Sequence, residues 1–250
     1  MKNRFIFNFI LLALIFTPFS LQAICSDEAK AGVNWTGCDK SNLDLSGVDL
    51  QSAVLRRVNF SNTNLSKARL NSADLTFSTL DNTNFVEARM ERARLNNAKI
   101  TKADFSMAVL DEARFSRAII KQANFNSSRL NKTDFYEAQV EAGMFEKTQL
   151  EKANFSRAKL VAANFINVSA KAVNFNQANL EEANFSDADL SSAKLVGASL
   201  LSVNFNNANL SAASIQGAEI DGASFEGTNL SSTIWVRYQR CRNGSVGVCD

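Results

Sequence analysis

The 250-residue sequence contains no histidine, a single proline (Pro18) and only ten glycines. Without imidazole the chain cannot build Ser-His-Asp or Cys-His arrangements, and it lacks the commonest metal ligand of proteins. Scarce proline and glycine, beside 46% hydrophobic residues, exclude a disordered or collagen-like chain. A glycine-rich phosphate loop is missing as well. We therefore predict no catalytic site, no metal and no other cofactor, so the protein is not expected to be an enzyme.

Long hydrophobic runs are also rare, and the single one lies at the N-terminus. Residues 5–16 are apolar except for Asn8, and they follow the basic residues Lys2 and Arg4. This pattern predicts a secretory signal over residues 1–23, because the run is shorter than the roughly 20 residues that span a bilayer. Removing two basic residues changes the net charge from +2 to zero. We expect a periplasmic or secreted protein without a transmembrane segment in the mature chain.

A repeat of five residues runs through the rest of the chain. Positions divisible by five between Leu45 and Trp235 are nearly all Phe, Leu or Ile. The residue two places earlier is small, usually Ala, and the residue between them is usually polar. This small, polar, large order predicts a short strand with alternating inward and outward side chains. The next two residues, mostly polar, are expected to turn a corner. A helix is excluded because a period of five gives no apolar face at 3.6 residues per turn.

Similar residues recur at a spacing of twenty, which predicts four sides in each coil. Phenylalanine occupies every twentieth position from Phe85 to Phe225, and aliphatic residues occupy another column from Leu80 to Ile220. A spacing of ten also fits the middle of the chain, but it fails at Leu95 and Leu195. Nearly ten coils, stacked about 4.8 Å apart, would form a rod about 45 Å long. The inward rings are expected to fill the axis of this rod.

The units Ala73-Asp74-Leu75 and Ala103-Asp104-Phe105 resemble the repeats of the pentapeptide-repeat family. The resemblance covers residues 43–235. It implies an all-β solenoid, the right-handed quadrilateral β-helix. Arginine or lysine replaces the middle Asp or Asn of several units, and because this position points outward, the expected fold is unaffected.

The four cysteines lie at the two ends of the predicted rod. We expect an N-terminal cap over residues 24–42 and a C-terminal cap over residues 236–250, with the first regular side near Leu43. Cysteines about 45 Å apart cannot be bridged, which leaves the pairs Cys25–Cys38 and Cys241–Cys249. The same separation argues against a four-cysteine zinc site.

Charge is distributed unevenly along the chain. Residues 56–120 contain eleven basic and seven acidic residues, a net charge of +4, whereas residues 161–235 contain two and seven, a net of −5. The predicted stacking places Arg69 beside Arg89, and Arg94 beside Arg114. These four residues are the candidate patch for an anion or a partner. The alternative is a surface of alternating charges that keeps the coils in register.

The sequence favours a non-enzymatic, exported scaffold or protein-binding rod of unknown target. We expect another protein or an envelope component as its partner and no nucleic acid, and dimerisation through an end cap stays open. Two alternatives remain. The family resemblance suggests a DNA mimic that protects gyrase from quinolones, although such rods are strongly acidic and this one has no net charge. A secreted host-contact or virulence factor is the other.

Overall fold

The computed structural model describes residues 25–250, so the predicted signal sequence lies outside it. Within these residues every parallel pairing joins positions twenty apart, for example Asp44 with Asn64 and Asn84 with Asp104. The predicted four-sided coil is therefore confirmed. The named strands are β1 (Lys99–Thr101), β2 (Ile119–Lys121) and β3 (Gln139–Glu141), and they form a parallel three-stranded sheet in the order β1-β2-β3. The described part of the chain contains no helix.

We number the four faces of the rod in chain order. Asn64 lies at the centre of face 1, Arg69 of face 2, Asp74 of face 3 and Thr79 of face 4. The later coils repeat this order every twenty residues, so β1, β2 and β3 belong to face 4. Faces 1 and 3 lie opposite each other, as do faces 2 and 4.

Backbone hydrogen bonds join each coil to both neighbours. In a representative unit, the amide of Asp74 donates to the carbonyl oxygen of Ala53 in the preceding coil at 2.9 Å. The next amide, that of Leu75, donates to the carbonyl oxygen of Arg94 in the following coil at 2.7 Å. Buried backbone groups must be paired, and the stacked coils supply those partners.

The two residues between the sides form the predicted corner. The amide of Ala73 donates to the carbonyl oxygen of Leu70 at 3.0 Å, and Ser72 has a φ of 60°. A bond between the fourth and first residues, with positive φ at the third, is typical of a type II β-turn. In each corner from Asn42 to Arg157 the second of the two corner residues has positive φ, and Gly47 is the only glycine among these second residues. The coil therefore imposes a left-handed conformation that side chains adopt only rarely.

The middle position of each unit favours Asp or Asn because its side chain closes the turn. The Oδ1 atom of Asp74 accepts a hydrogen bond from the amide of Thr76 at 3.1 Å. This local bond satisfies an amide that neither neighbouring coil reaches. Where lysine occupies the middle position, at Lys99, the amide of Thr101 instead donates to Asp81 Oδ1 in the preceding coil at 3.0 Å. A basic middle residue thus leaves the fold intact.

The core contains two phenylalanine columns, whereas the sequence pattern identified only the one that begins at Phe85. A second column occupies face 3 in the middle of the rod, at Phe115, Phe135, Phe155 and Phe175. Rings within a column are stacked, as Phe105 and Phe125 are at a centroid distance of 4.9 Å. Rings of opposite columns meet edge to face, as Phe105 and Phe115 do at 6.0 Å and 86°. The axis of the rod is filled by these rings.

The N-terminal end differs from the prediction. The ladder already includes Asn34 and Asp39, so a first regular side near Leu43 is wrong and the predicted cap 24–42 contains regular coil. Lys40 occupies a position that is normally apolar and lies at the edge of the core. Its Nζ atom is 3.9 Å from the centroid of the Trp35 ring and donates to the carbonyl oxygen of Cys25 at 2.7 Å. These contacts accommodate a charge where the repeat otherwise places Phe or Leu.

Residues 236–250 fold back across the other end of the rod. Val246 pairs with Asn229 and Arg240 with Ile234, both in antiparallel orientation. The cap supplies carbonyl acceptors to the last coil, because Leu230 donates to Ser245 at 2.9 Å. An open strand edge is thereby covered.

A disulfide is formed at each end. Cys25 pairs with Cys38, with 5.4 Å between their Cα atoms, and Cys241 pairs with Cys249, with 4.8 Å. Both are the pairs expected from the length of the rod. Cys38 occupies a small inward position of the repeat, so the N-terminal disulfide ties the incoming chain directly to the core.

Candidate binding surfaces

The four arginines of the candidate patch lie on two faces. Arg69 pairs with Arg89 on face 2, and Arg94 pairs with Arg114 on face 3. The structure thus brings each predicted pair together but does not join the pairs into one flat patch.

Three of these arginines contact carboxylates. Arg69 Nη1 lies 3.8 Å from Asp49 Oδ2, and Arg89 Nη2 lies 3.3 Å from Glu91 Oε1. Arg94 donates a hydrogen bond to the carboxylate of Asp74. Within the described residues, Arg114 has no carboxylate within 4.0 Å. Arg69 and Arg94 each contact a carboxylate one coil earlier, which favours the alternative interpretation, in which charges of opposite sign hold adjacent coils in register. Glu91 lies in the same coil as Arg89, so this pair neutralises charge without joining coils.

The carboxyl of Asp74 is perturbed by its position between two coils. Its partial burial alone would raise its pKa, but hydrogen bonds from Arg94 and Thr76 outweigh that effect and lower the pKa below its usual value. Arg56 Nε also lies 3.8 Å from Asp74 Oδ2. The carboxylate of Asp74 therefore contacts two arginines, Arg56 and Arg94.

A similar network lies at the corner between faces 3 and 4. Arg117 Nε donates to Glu137 Oε2 at 2.8 Å, and this bond is the main reason that the pKa of Glu137 is lowered. Arg157 Nη1 lies 3.9 Å from Glu137 Oε1 and donates to the hydroxyl of Tyr136 at 3.2 Å. The stacked Arg117, Glu137 and Arg157 therefore form a column of alternating charge, of the kind that the alternative interpretation of the charge pattern predicts.

Opposite sides of the rod differ in the balance of charge. We define the face 2 side and the face 4 side as each face with its two bordering turns, over residues 56–160. Both sides carry eight basic residues, but the face 2 side has six acidic residues and the face 4 side has three. On the face 2 side each basic residue lies within 4.0 Å of a carboxylate: Lys67, Arg69, Arg89, Arg92, Arg129, Lys132, Lys147 and Lys152.

Four basic residues of the face 4 side have no such partner among residues 25–250: Arg57, Lys99, Lys102 and Lys159. A charge count along the sequence does not reveal this excess, because Arg57 and Lys159 are 102 positions apart and share a side only in the coil. The spacing of twenty was sufficient to find them, since it assigns every outward residue to a face. Unneutralised positive charge is therefore concentrated on the face 4 side.

Groups suited to metal-assisted chemistry do not converge in the described structure. No cluster of three or more Cys, Asp or Glu side chains among residues 25–250 is arranged to hold a metal ion. The same residues include no helix long and apolar enough to cross a membrane. Large inward side chains are fully buried along most of the rod, so the outer faces and the ends are the surfaces available to a partner.

Comparison with known families identifies the class of protein. The family described as "Pentapeptide repeat region" matches residues 98–175, and that described as "Pentapeptide repeats (8 copies)" matches residues 44–76, 68–106, 171–206 and 202–231. The chain therefore belongs to the pentapeptide-repeat family and has its right-handed quadrilateral β-helix.

Solved structures with the same fold come from different biological settings. HetL from the cyanobacterium Nostoc sp. strain PCC 7120, a protein involved in heterocyst differentiation regulation, is 30% identical, with a TM-score of 0.56. That alignment covers 85% of this chain and 93% of HetL. Trypsin-treated QnrB1, a plasmid-mediated fluoroquinolone resistance protein, is 18% identical over 72% of this chain and 88% of QnrB1, also with a TM-score of 0.56. At that identity QnrB1 shares the fold alone. The search of curated proteins gave no match.

Proposed function

We propose that this chain is a non-enzymatic, exported binding rod that presents its outer faces to another macromolecule of the cell envelope. The observation that carries the proposal is the division of the coil into a closed inside and an exposed outside. Apolar side chains fill the axis, while charged and amide side chains project from four flat faces. Such a coil offers a long, regular surface for association, and over residues 25–250 its axis is occupied by packed side chains.

Membership of the family supports this proposal, because solenoids built from short repeats commonly act through extended surfaces. HetL is described as a participant in regulation. The absence of histidine also removes the usual general base from any acyl-transfer chemistry.

Capture of a partner tests the binding function. The exported chain would be purified with a C-terminal tag and used to capture proteins from envelope fractions. We expect a specific partner whose capture weakens on charge reversal of a solvent-exposed face. In a matched pair of variants, the charges of Lys99 and Lys159 on face 4, or those of Lys132 and Lys152 beside face 2, would be reversed by substitution with glutamate. Equal capture by all variants and by an unrelated rod would contradict the proposal.

Export requires a separate test. Two disulfides join all four cysteines of the chain, as is typical of proteins from oxidising compartments. Cell fractionation and N-terminal sequencing should recover a mature chain that begins near Ile24. A full-length, reduced chain in the cytoplasm would refute export.

The same experiments separate this proposal from gyrase protection. A gyrase-protecting protein must meet its target in the cytoplasm, and its expression should reduce quinolone susceptibility. We expect no change in susceptibility when this chain is expressed with its own N-terminal segment. A reproducible decrease that depends on gyrase would favour the alternative.

A further inference from the structure

The face 4 side combines unneutralised cations with an extended backbone surface. Lys99 and Lys159 project from the centre of the face, whereas Arg57 and Lys102 lie in its two bordering turns. The strands β1, β2 and β3 form the middle of this surface, and Ile100, Ile120 and Val140 are in register beneath it. Between Arg57 and Lys159 the coils rise by roughly 24 Å, at about 4.8 Å per coil. The cations are thus spread along and across one side of a stiff rod.

Two large apolar side chains are exposed among these cations. Phe77 is 48% exposed and lies in the same turn column as Arg57, whose guanidinium carbon is 5.6 Å from the centre of the ring. Ile119 is 39% exposed and is the face centre one coil after Lys99. A shallow groove beside β2 and β3 is lined by Ile119, Lys121, Lys159 and Val161 among others. Apolar groups therefore lie beside basic ones on this surface, and Glu141 is the acidic member of the groove.

Comparison with the face 2 side separates the effect of apolar exposure from that of charge. Met107 on the face 2 side is 52% exposed, so apolar exposure occurs on both sides. The cations around Met107 are neutralised, however; Lys67 and Arg129, for example, contact Glu87 and Asp111. The excess of positive charge is what separates the face 4 side from the face 2 side over residues 56–160.

We propose that the face 4 side docks the protein on an anionic membrane surface, with phosphate-bearing lipid headgroups as the ligand. This inference rests on the proposed binding function and names its partner. The cations are dispersed over one side of a rod, so they suit a plane of dispersed negative charge. They do not suit a single compact anion, because binding such an anion requires donors that converge on one point. The exposed Phe77 and Ile119 side chains are suited to the headgroup boundary, where apolar groups flanked by basic residues enter the interface.

Vesicle co-sedimentation of the exported, purified chain tests this surface. The probes are vesicles of phosphatidylcholine alone and vesicles that also contain phosphatidylglycerol. We expect binding only to the anionic vesicles, and we expect it to weaken as salt screens the charges. The double variant Lys99→Gln/Lys159→Gln should bind roughly 30-fold more weakly at low salt, from about fivefold for each basic residue near an anionic surface.

The matched control is Lys132→Gln/Lys152→Gln, which removes the same net charge from the face 2 side. In the unmodified chain Lys132 lies 3.9 Å from Glu112, which Arg92 also contacts, and Lys152 lies 3.7 Å from Glu151. Each of these lysines therefore has a carboxylate beside it, unlike Lys99 and Lys159. We expect this control to bind the vesicles nearly as well as the unmodified chain, and thermal unfolding should show that both variants are folded.

Several outcomes would overturn the proposal. Equal losses in the two variants would mean that net charge and not face 4 governs binding. Failure of the unmodified chain to bind anionic vesicles would reject a lipid partner. Specific capture of an acidic protein through Lys99 and Lys159, without vesicle binding, would also reject the lipid partner while the proposed binding function stands.

Discussion

The middle coils and the terminal coils place apolar residues at the same positions but fill the axis differently. From Phe105 to Phe185 both opposite faces contribute rings, so each ring is stacked along the rod and contacts others edge to face. Beyond Phe185 the face 1 column continues through Phe205 to Phe225, opposite Leu195 and Ile215. A ring of face 3 appears again at Trp235, 5.2 Å from Phe225. Ring spacing in the face 1 column lengthens from 4.6 Å for Phe165–Phe185 to 5.4 Å for Phe185–Phe205. A repeat with a uniform period can therefore be uneven in packing, because the residue at the large position changes from coil to coil.

The largest expected effect comes from removing a ring in the middle coils. Phe145 is stacked with Phe125 and Phe165 and meets Phe135 and Phe155 edge to face. We expect Phe145→Ala to reduce the free energy of unfolding by about 3–5 kcal/mol, because the cavity cannot close between stacked coils.

The matched substitution at the end of the rod is Phe205→Ala. Phe205 has stacked neighbours only, at 5.4 and 5.3 Å. Its loss should cost about 1 kcal/mol less, since edge-to-face ring pairs add about 0.5–1.5 kcal/mol beyond burial. Urea unfolding of both variants measures the difference, and equal midpoints would break the comparison.

A smaller effect concerns the coil that contains Ala170. This residue occupies a large position in the repeat, and Val168 and Val173 occupy adjoining positions that are usually alanine. The neighbouring Phe175 ring is inclined by 22° to Phe155, whereas Phe135 and Phe155 are inclined by 4°. We infer that the two larger side chains and the tilted ring compensate for the smaller side chain of Ala170.

A double-mutant cycle tests this compensation. Ala170→Leu alone should destabilise by about 1–3 kcal/mol through overpacking. Val173→Ala alone should cost about 1.6 kcal/mol for two buried carbon groups. The double variant should be more stable than the sum predicts, by at least about 0.5 kcal/mol. Strict additivity of the unfolding free energies would show that the two positions do not share space.

Buried hydroxyl groups in the small column provide an effect of about 1 kcal/mol. Thr83 donates its hydroxyl to the carbonyl oxygen of Phe60 at 2.8 Å, whereas the buried Ser78 hydroxyl has no hydrogen-bond partner. Thr83→Val should therefore lower stability by about 1 kcal/mol, and Ser78→Ala should leave it unchanged or raise it. Thermal unfolding of the pair is sufficient, and a loss at Ser78 as large as that at Thr83 would be inconsistent with these contacts.

The smallest expected effect is the pH dependence of one surface carboxylate. Because the pKa of Asp74 in the folded protein lies below the usual 3.8, its ionised form stabilises the fold above that pH. This contribution is lost as the pH falls through the lowered pKa. Asp74→Asn retains an oxygen for the amide of Thr76, but it removes the charge and replaces Oδ2, the acceptor of the Arg94 hydrogen bond, with an NH2 group. The stability difference between Asp74→Asn and the unmodified chain should shrink below pH 3.8, and a constant difference would contradict the assignment.

Much of the architecture could be predicted because the repeat is short and strictly periodic. A period of five with small, polar and large positions fits one backbone geometry. In this geometry the backbone amides donate to acceptors in neighbouring coils or within the turn. The predicted start near Leu43 failed for a local reason. Lys40 at a large position suggested a break, but its amino group is accommodated by Trp35 and the Cys25 carbonyl. Contacts from outside the repeat decided that boundary.

The candidate site was predictable only in part. Stacking of Arg69 with Arg89, and of Arg94 with Arg114, followed from the spacing of twenty. The same spacing assigns the two pairs to different faces. The carboxylates that lie beside three of the four arginines depended on side-chain conformations: Asp49, Glu91 and Asp74. A charge count along the chain averages over all four faces, so it cannot separate a neutralised side from an unneutralised one.

The sequence by itself determined the coil of twenty residues, the inward columns and the pairing of the cysteines, because strand alternation and covalent reach are local rules. Only the tertiary structure decided how opposite columns interlock, where the ladder begins and which cations lack carboxylates. Those properties depend on the distance between residues on different sides or in different coils. In a solenoid the backbone repeat sets the positions, and the side chains that meet across coils decide packing and charge.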